Sequence, residues 1–165
     1  MIYLKEDDIS DIDRIDEYNN EYTSVYPDFV PFMTKDNIYE VLKDVEDKKQ
    51  GINNDGVKEI FYFAIEDDKI VGHGSVRLNP EIVDNYEIIG HIMYGVVPSK
   101  RKQGYGTKIC ELLIEEAKKY NLDPILITCN ENNIGSNRVI LNNGGEFIKQ
   151  KMSNENEVTN IYKIR

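Results

Sequence analysis

The chain has 165 residues, of which 40% are hydrophobic and 30% are charged, and this composition predicts one globular domain over residues 1–165. Its formal net charge of -10 argues against a nucleic-acid partner, because contacts with phosphates need a basic surface. The same acidic charge either favours cationic or polar small molecules as substrates or serves solubility alone.

The sequence predicts neither a metal site nor a membrane anchor. The two cysteines, Cys110 and Cys129, are not spaced as in a disulfide framework or a zinc site, so we expect no metal. The N-terminus lacks the basic and apolar regions of a signal peptide, and no apolar run approaches the ~20 residues that span a bilayer. We therefore expect a cytoplasmic protein with no membrane partner.

The first half of the chain predicts two helices between strands. Ile9, Ile12 and Ile15 recur every three residues behind acidic neighbours, which is typical of an amphipathic helix. A turn of two aspartates and a lysine separates two apolar runs and predicts a β-hairpin. The predicted elements are a strand at 2–5, helices at 7–22 and 34–50, and strands at 60–66 and 70–79.

The second half predicts a βαβ unit followed by a helix and two strands. Strand 86–97, helix 104–120 and strand 124–129 form this unit, whose two strands are expected to be parallel. A short helix is expected to end at Gly144, and the last strands lie at 145–152 and 157–164. The order β-α-α-β-β-β-α-β-α-β-β predicts an α/β fold with a mixed sheet and helices on both faces.

A glycine-rich turn connects strand 86–97 to helix 104–120. Three consecutive cations precede it, and the turn itself reads Gln103-Gly104-Tyr105-Gly106-Thr107. The N–H groups of a helix's first turn attract anions, and glycine lets a phosphate approach the backbone. There is no GxxxxGK[ST] and no GxGxxG, so a nucleotide P-loop and a dinucleotide fold are not indicated. The turn is either a phosphate site or a solvated cation run with a glycine N-cap.

Two motifs carry a family resemblance. Residues 101–106 read RxxGxG directly after a VxPxxR segment, and residues 128–145 read TCNENNIGSNRVILNNGG. Together with the element order they resemble the GNAT superfamily of N-acetyltransferases over essentially the whole chain, most specifically over 92–145. The resemblance implies an enzyme that moves an acetyl group from acetyl-CoA to a primary amine of a small molecule or peptide by direct attack. The alternative is a non-catalytic acyl-CoA-binding sensor or interaction protein with the same fold.

The resemblance also implies where coenzyme A binds. In the family the glycine turn holds the pyrophosphate through main-chain amides, and the splayed, bulged central strand pairs with the pantetheine arm. A backbone amide freed at such a bulge can stabilise an oxyanion. Asn133 matches an asparagine that contacts the pantetheine arm, and it also fits a helix N-cap. The implied coenzyme A residues are Val96, Val97, Arg101, Lys102, Gln103, Gly104, Tyr105, Gly106, Thr107, Asn133 and Ser136.

Two catalytic groups that are common in the family are absent. Gly90 occupies the position of a glutamate on the central strand, and Ile140 that of a tyrosine near the second motif. An alkyl amine is mostly protonated at neutral pH, so a proton must be removed, and the leaving thiolate benefits from a donor. His91 is the candidate base and Tyr94 the candidate acid; the alternatives are a structural histidine, a core tyrosine and proton loss through ordered water.

The acceptor site is the least defined part of the sequence. The fold implies a pocket between the first two helices, the strand 70–79 hairpin and the C-terminal strands. His73 and Arg77 share one face of a predicted strand and are further candidates to line this cleft. The aromatic residues Tyr18, Tyr22, Tyr26, Phe29 and Phe32 either wall it or pack in the core. A monomer and a homodimer are both consistent with the sequence.

Overall fold

A seven-stranded mixed sheet organises the chain, which a computed structural model describes for residues 1–153 and 156–165. The two remaining residues fall inside the predicted domain and lie outside the described residues. The strands are β1 (Tyr3–Glu6), β2 (Glu59–Glu66), β3 (Lys69–Arg77), β4 (Ile92–Val96), β5 (Ile125–Asn130), β6 (Glu146–Met152) and β7 (Val158–Ile164). The helices are α1 (Ile12–Val25), α2 (Ile38–Lys49), α3 (Tyr86–Ile89), α4 (Tyr105–Lys119) and α5 (Ile134–Asn142).

The sheet has the strand order β1-β2-β3-β4-β5-β7-β6. Only β4 and β5 pair in parallel, as the predicted βαβ unit requires, and all other described pairs are antiparallel. The predicted mixed α/β fold is therefore confirmed. Among the described residues no helix is both long and apolar enough to cross a membrane.

One predicted element is wrong in its first half. The strand expected over 86–97 begins only at Ile92, because Tyr86–Ile89 form the helical turn α3. The Gly90 N–H closes this turn by donating to the Tyr86 carbonyl, and Gly90 then leaves it with a φ of +63°. A short apolar run fits a strand and a buried helical turn equally well, so its periodicity could not distinguish them.

Helix α4 packs on one face of the sheet. Ile109, Leu113 and Ala117 are 0% exposed there and contact the strands that the hairpin and βαβ unit supply. Burying each large aliphatic side chain contributes about 1.5–3 kcal/mol to stability, so this stripe fixes the helix on β3 and β4. The packing thereby holds the first turn of α4 at the end of β4.

Helices α1 and α2 cover the opposite face. Ile15 and Ile38, which are 1% and 0% exposed, pack against Phe63, Ile65 and Ile70 of the hairpin. This second core is smaller than the one beneath α4, and it leaves a cavity between α1, the loop that follows it, and the sheet. The two faces of the sheet thus carry different parts of the candidate site.

Candidate active site

The sheet splits between β4 and β5. The β3–β4 ladder runs without a break from Val76↔Ile92 to Gly72↔Val96, whereas β4 and β5 pair only at Ile92↔Ile127. Alternate residues of an antiparallel strand send their backbone groups to the same side. The N–H groups of Tyr94 and Val96 therefore face β5 across an opening, which we call the strand gap. The predicted splay is present, but the described β4 carries no bulge.

The two valines at the end of β4 are used differently. The Val97 N–H donates to the Val71 carbonyl at 3.1 Å, and its side chain is 1% exposed. Val97 is therefore hydrogen-bonded to β3 and buried in the core. Of the N–H groups of Val96 and Val97, only that of Val96 is directed into the strand gap. The Val96 carbonyl accepts hydrogen bonds from the Tyr22 hydroxyl at 3.2 Å and from Arg101 Nε at 3.1 Å.

The glycine turn, residues 101–107, has the geometry of an anion site. Gly104 is the N-cap of α4 with φ +87°, and as a glycine it has no side chain that could accept a hydrogen bond from the helix. The first helical hydrogen bond runs from the Lys108 N–H to the Gly104 carbonyl. The first-turn N–H groups of Tyr105, Gly106 and Thr107 therefore lack intrahelical acceptors. A Cβ built on Gly104 meets nothing within 4 Å, so the approach to these N–H groups is open.

Arg101 does not serve the turn as predicted. Its guanidinium bonds to the Val96 carbonyl and the Tyr26 hydroxyl, and it stacks 5.4 Å from the centroid of the Tyr26 ring. A carbonyl at a strand end and an aromatic face draw it away from the open amides. The expectation that Arg101 adds charge at the pyrophosphate is corrected: it ties the end of β4 to α1. Lys102, which is exposed with φ +60°, is the cation that remains in the turn.

Three other side chains fix the turn. Gln103 Nε2 donates to the Ser99 carbonyl at 2.7 Å, which stabilises the approach to α4. The Tyr105 hydroxyl donates to Glu66 Oε2 at 2.6 Å, while the Lys100 ammonium lies 5.1 Å from the Tyr105 ring centroid. Tyr105 thus anchors the first turn of α4 to the end of β2, and only its backbone faces the open site.

Helix α5 closes the far side of the strand gap. Asn133 Oδ1 accepts a hydrogen bond from the Ser136 N–H at 3.0 Å, so the predicted N-cap is confirmed. The Tyr94 side chain crosses from β4 to this helix, and its hydroxyl lies 3.5 Å from the Ser136 carbonyl. Burial raises the pKa of Tyr94, so the hydroxyl keeps its proton at neutral pH.

His91, the predicted base, has surroundings that argue against that role. Its Nδ1 accepts a hydrogen bond from the Leu126 N–H at 2.9 Å, and its own backbone N–H donates to the Leu126 carbonyl. Burial lowers the pKa of the imidazole, which is therefore neutral with its proton on Nε2. No lone pair is left to accept a proton from a substrate. The interpretation of His91 as a base is corrected: it joins β4 to β5.

The structure explains why the glutamate and the tyrosine that are common in the family are absent at positions 90 and 140. A Cβ at Gly90 would lie 2.9 Å from the Leu126 carbonyl oxygen, so no glutamate fits the backbone there. Ile140 is 0% exposed, and a Cβ at Gly145 would lie 2.5 Å from its Cγ2. Ile140 is thus a core residue beneath a tight turn. Any catalytic side chain must come from elsewhere in the fold.

His73 lies at the junction of the two faces of the site. It pairs with Gly95 in the β3–β4 register, and a Cβ at Gly95 would lie 2.7 Å from His73 Nε2. The imidazole therefore covers β4 where the strand gap opens. Its Nδ1 lies 2.8 Å from the Tyr18 hydroxyl, and burial lowers its pKa. Arg77, the other cleft candidate, is instead paired with Glu59 at 3.1 Å.

His73 also lines a cavity of about 320 Å³, which we call the aromatic pocket. The pocket lies between α1, the loop after it and strands β2–β4, and the C-terminal strands that were expected to wall it do not contribute. Tyr22 and Tyr26 belong to the end of β4 instead, as their contacts with Val96 and Arg101 show. The principal lining residues are Tyr18, Phe29, Phe32, Phe61, His73 and Met93.

The sequence-based prediction missed one polar group in this pocket. Asp7 follows β1 directly and lines the aromatic pocket, and its buried Oδ1 has no hydrogen-bond partner in the described part of the chain. An aspartate beside Asp8 in an acidic segment gives no signal in the sequence. Among the residues that the structure describes, no cluster of three potential metal ligands is present.

Comparison with solved structures shows the same fold in several acetyltransferases. The Salmonella typhimurium acetyl transferase that modifies the N-terminal serine of 50S ribosomal subunit protein L7/L12 aligns with a TM-score of 0.70 at 15% identity, covering 99% of this chain and 94% of that chain. The microcin C7 self-immunity acetyltransferase MccE, in complex with acetyl-CoA and AMP, gives 0.70 at 18%, covering 99% and 91%. Aminoglycoside acetyltransferase AAC(6')-Ib, in complex with coenzyme A and kanamycin, gives 0.68 at 15%, covering 100% and 95%.

The comparisons at the level of sequence gave a match to one family. A search of curated proteins found no match to this chain. Residues 15–144, however, match the profile of the acetyltransferase (GNAT) family. The matched range includes the strand gap, the glycine turn and the Asn133 cap. The chain belongs to the acetyltransferase (GNAT) family, whose members use acetyl-CoA.

Proposed function

We propose that this acetyltransferase acetylates a primary amine held in the aromatic pocket, with His73 as the general base. The observation that carries the proposal is the position of His73. Its ring covers Gly95 at the strand gap and lines the aromatic pocket, so one imidazole borders both halves of the site. A base must lie within hydrogen-bond reach of the proton that it removes, and this position allows it.

The donor side fits coenzyme A through its backbone. Acetyl-CoA supplies the acetyl group as an activated thioester. The open N–H groups of Tyr105, Gly106 and Thr107 would hold the pyrophosphate, because a helix N-terminus favours anions. Gly104 leaves room for that approach, and Lys102 adds a charge. These contacts position the donor without any catalytic side chain.

The strand gap would hold the pantetheine arm. The N–H groups of Tyr94 and Val96 face the gap and would donate to the carbonyl groups of the arm as a neighbouring strand does. At the other side of the gap lie Ser136, which is small, and the side-chain NH₂ group of Asn133, whose oxygen caps α5. An N–H group aimed at the thioester oxygen would stabilise the negative charge that develops there.

Proton removal falls to His73. We assign its Nδ1 proton to a hydrogen bond with the Tyr18 oxygen, 2.8 Å away, which leaves the lone pair of Nε2 free toward β4. The lowered pKa keeps the ring neutral at pH 7, so it is ready to accept a proton from the attacking amine. A positioned general base contributes about 100-fold to 10,000-fold to a rate.

Tyr94 is the proposed proton donor to the leaving thiolate. Its hydroxyl keeps its proton because burial raises its pKa. The one hydrogen bond described for the hydroxyl, to the Ser136 carbonyl at 3.5 Å, is at the distance limit of a hydrogen bond. The hydroxyl is therefore available to a stronger acceptor. His73 and Tyr94 together replace the groups that Gly90 and Ile140 lack, which favours the enzyme over a non-catalytic acyl-CoA sensor.

The acceptor is proposed to be a small molecule. Among the structural relatives, one modifies the N-terminal serine of a ribosomal protein and another is seen with kanamycin, so relatives serve both kinds of acceptor. The aromatic pocket encloses about 320 Å³, the lower part of the range for small-molecule sites, which favours a compact amine over a protein terminus. A cytoplasmic location and a monomeric or homodimeric state belong to the same proposal.

A thiol-release assay over a panel of primary amines tests the function. We expect turnover with acetyl-CoA for at least one compact apolar amine, together with a strong loss in Tyr94→Phe if that hydroxyl protonates the leaving group. Calorimetry on the same preparations reports acetyl-CoA affinity, which this loss should not affect. Tight acetyl-CoA binding with no turnover on any amine would support the acyl-CoA sensor instead.

A further inference from the structure

Three carboxylates follow β1, and one of them has an oxygen without a hydrogen-bond partner among the described residues. Asp8 accepts a hydrogen bond from the Ser10 N–H at 2.7 Å and pairs with Lys5 at 2.9 Å. Asp11, which is fully buried, pairs with Lys5 at 2.9 Å and with Arg14 at 3.2 Å. Asp7 Oδ1 is buried with no hydrogen-bond partner among the described residues. A buried acceptor without a partner costs about 1–3 kcal/mol, so its presence calls for an explanation.

The surroundings of Asp7 make that cost larger. It lines the aromatic pocket, whose walls include the rings of Phe61 and Phe32. Burial raises the pKa of Asp7 to about 7, and the charge of Asp11 adds to the effect. The Lys48 ammonium also borders the pocket: it pairs with Asp44 at 2.9 Å and lies 5.8 Å and 5.7 Å from the ring centroids of Phe32 and Phe61. Among the described residues, the carboxyl is the one acidic group that lines this apolar cavity, and a cationic ligand would relieve its desolvation.

Strand register gives the distance from Asp7 to His73. Glu6 pairs with Tyr62 on β2, and Phe63 pairs with His73 on β3, so β1 and β3 lie on opposite sides of β2. Continuing this register places Asp7 opposite Phe61, two residues along the strand from the Phe63↔His73 pair. With about 4.8 Å between neighbouring strands and about 3.4 Å per residue along a strand, the Cα atoms of Asp7 and His73 are separated by about 12 Å. Phe61 and Phe63 lie on the intervening strand and line the pocket between them. An apolar linker fits this interval.

We infer that Asp7 binds a second ammonium group of the acceptor, so that the enzyme acts on compact diamines with an apolar linker. One amine would lie at His73 and the other at the Asp7 carboxylate, with the linker against the aromatic walls. The inference rests on the proposed function for the chemistry at His73. It adds a specificity-determining residue at the opposite end of the pocket.

The test compares hexylamine with its α,ω-diamine counterpart. Hydrogen bonds to charged groups are worth about 1.5–3 kcal/mol, so the wild-type kcat/KM should favour the diamine by about 10-fold to 100-fold. In Asp7→Asn this ratio should fall to near one. Asp8→Asn removes the same charge one residue away and should keep the ratio. An undiminished ratio in Asp7→Asn, or no preference in the wild type, would overturn the inference.

Binding separates this inference from the proposed function. Calorimetry with the diamine should show about 10-fold to 100-fold weaker affinity for Asp7→Asn than for the wild type, whether or not turnover occurs. If hexylamine is acetylated without any diamine preference, Asp7 has no such role and the function stands. If no amine is acetylated while the diamine binds through Asp7, the proposed catalysis fails and the recognition stands.

Discussion

The two halves of the site are built in different ways. The proposed donor side relies mainly on backbone groups of one continuous segment, residues 92–107, where a strand, a turn and the start of a helix follow one another, and α5 borders it. The acceptor side uses side chains from the residue after β1, from α1 and the loop after it, from α2 and from three strands, and these meet only in the folded protein. His73 touches both halves. The backbone half can therefore be common to a family, while the side-chain half sets the acceptor of each member.

The largest expected effect breaks the donor half alone. Gly104→Glu places a carboxylate and a strained backbone where the anion should approach, because Gly104 has φ +87°. Several charge-assisted hydrogen bonds would be lost, so acetyl-CoA affinity should fall by at least about 1,000-fold in calorimetry. Gly56→Glu is the matched control: Gly56 is exposed with φ +82°, in the turn before β2. Equal affinity in the two variants would contradict the assigned anion site.

A second variant disturbs the place where the two halves meet. Gly95→Ala introduces a Cβ that would lie 2.5 Å from His73 Cε1, so the imidazole must move off β4. We expect kcat/KM to fall by about 100-fold while the affinity for acetyl-CoA changes little, since the loss is that of a positioned base. Gly135→Ala, whose added Cβ would approach only Asn133 Oδ1 at 3.6 Å, is the control. A Gly95→Ala enzyme with full activity would mean that the position of His73 is unimportant.

The smallest expected effect concerns the acceptor half and is one of stability. Burial raises the pKa of Asp7 to about 7, above the ~3.9 of an unfolded aspartate, so the folded protein keeps a proton that the unfolded chain releases. The free energy of unfolding should therefore fall as pH rises from about 4 to 7. Asp7→Asn should remove this fall and exceed the wild type by roughly 1–3 kcal/mol at pH 8.

Denaturant unfolding at several pH values measures this difference, and Asp8→Asn provides the opposite case. Hydrogen bonds from Ser10 and Lys5 lower the pKa of Asp8 to about 2, so its carboxylate stabilises the fold above pH ~4. Asp8→Asn should consequently be less stable than the wild type at pH 8. An Asp7→Asn protein that is also less stable at pH 8 would show that the Asp7 carboxylate has a structural partner after all.

The same contrast explains what could be predicted from the sequence. The anion geometry of the glycine turn follows from local rules, since Gly104 and the first turn of α4 are adjacent in the chain. The partners of Arg101 could not be predicted, because Tyr26 lies 75 residues away and is brought close by the packing of α1. The predicted strand was wrong over 86–91, because the apolar run there is too short to show whether its period is that of a strand or of a helix.

Catalytic roles depended even more on tertiary contacts. In the sequence, both His91 and His73 fall in predicted strands, and their neighbours in the chain do not show which of them could be a base. Register and packing do: Leu126 occupies Nδ1 of His91, whereas His73 lies over Gly95 beside the aromatic pocket. Asp7 illustrates the same limit, since its lack of a partner is a property of the folded cavity. Sequence patterns predicted the fold and the glycine turn, and the structure was needed to find the partners of Arg101 and the residues of the aromatic pocket.

The most direct test of the account is the ratio of wild-type to His73→Gln kcat/KM as a function of pH, which cancels the titration of the amine itself. Burial lowers the pKa of His73 below the usual 6.5, so the ratio should be constant above pH 6.5 and should fall as the ring becomes protonated at lower pH. The plateau should be about 100-fold to 10,000-fold, with unchanged acetyl-CoA affinity. His91→Gln should show no such pH-dependent ratio. A ratio near one for His73→Gln at every pH would contradict the central claim that His73 is the base.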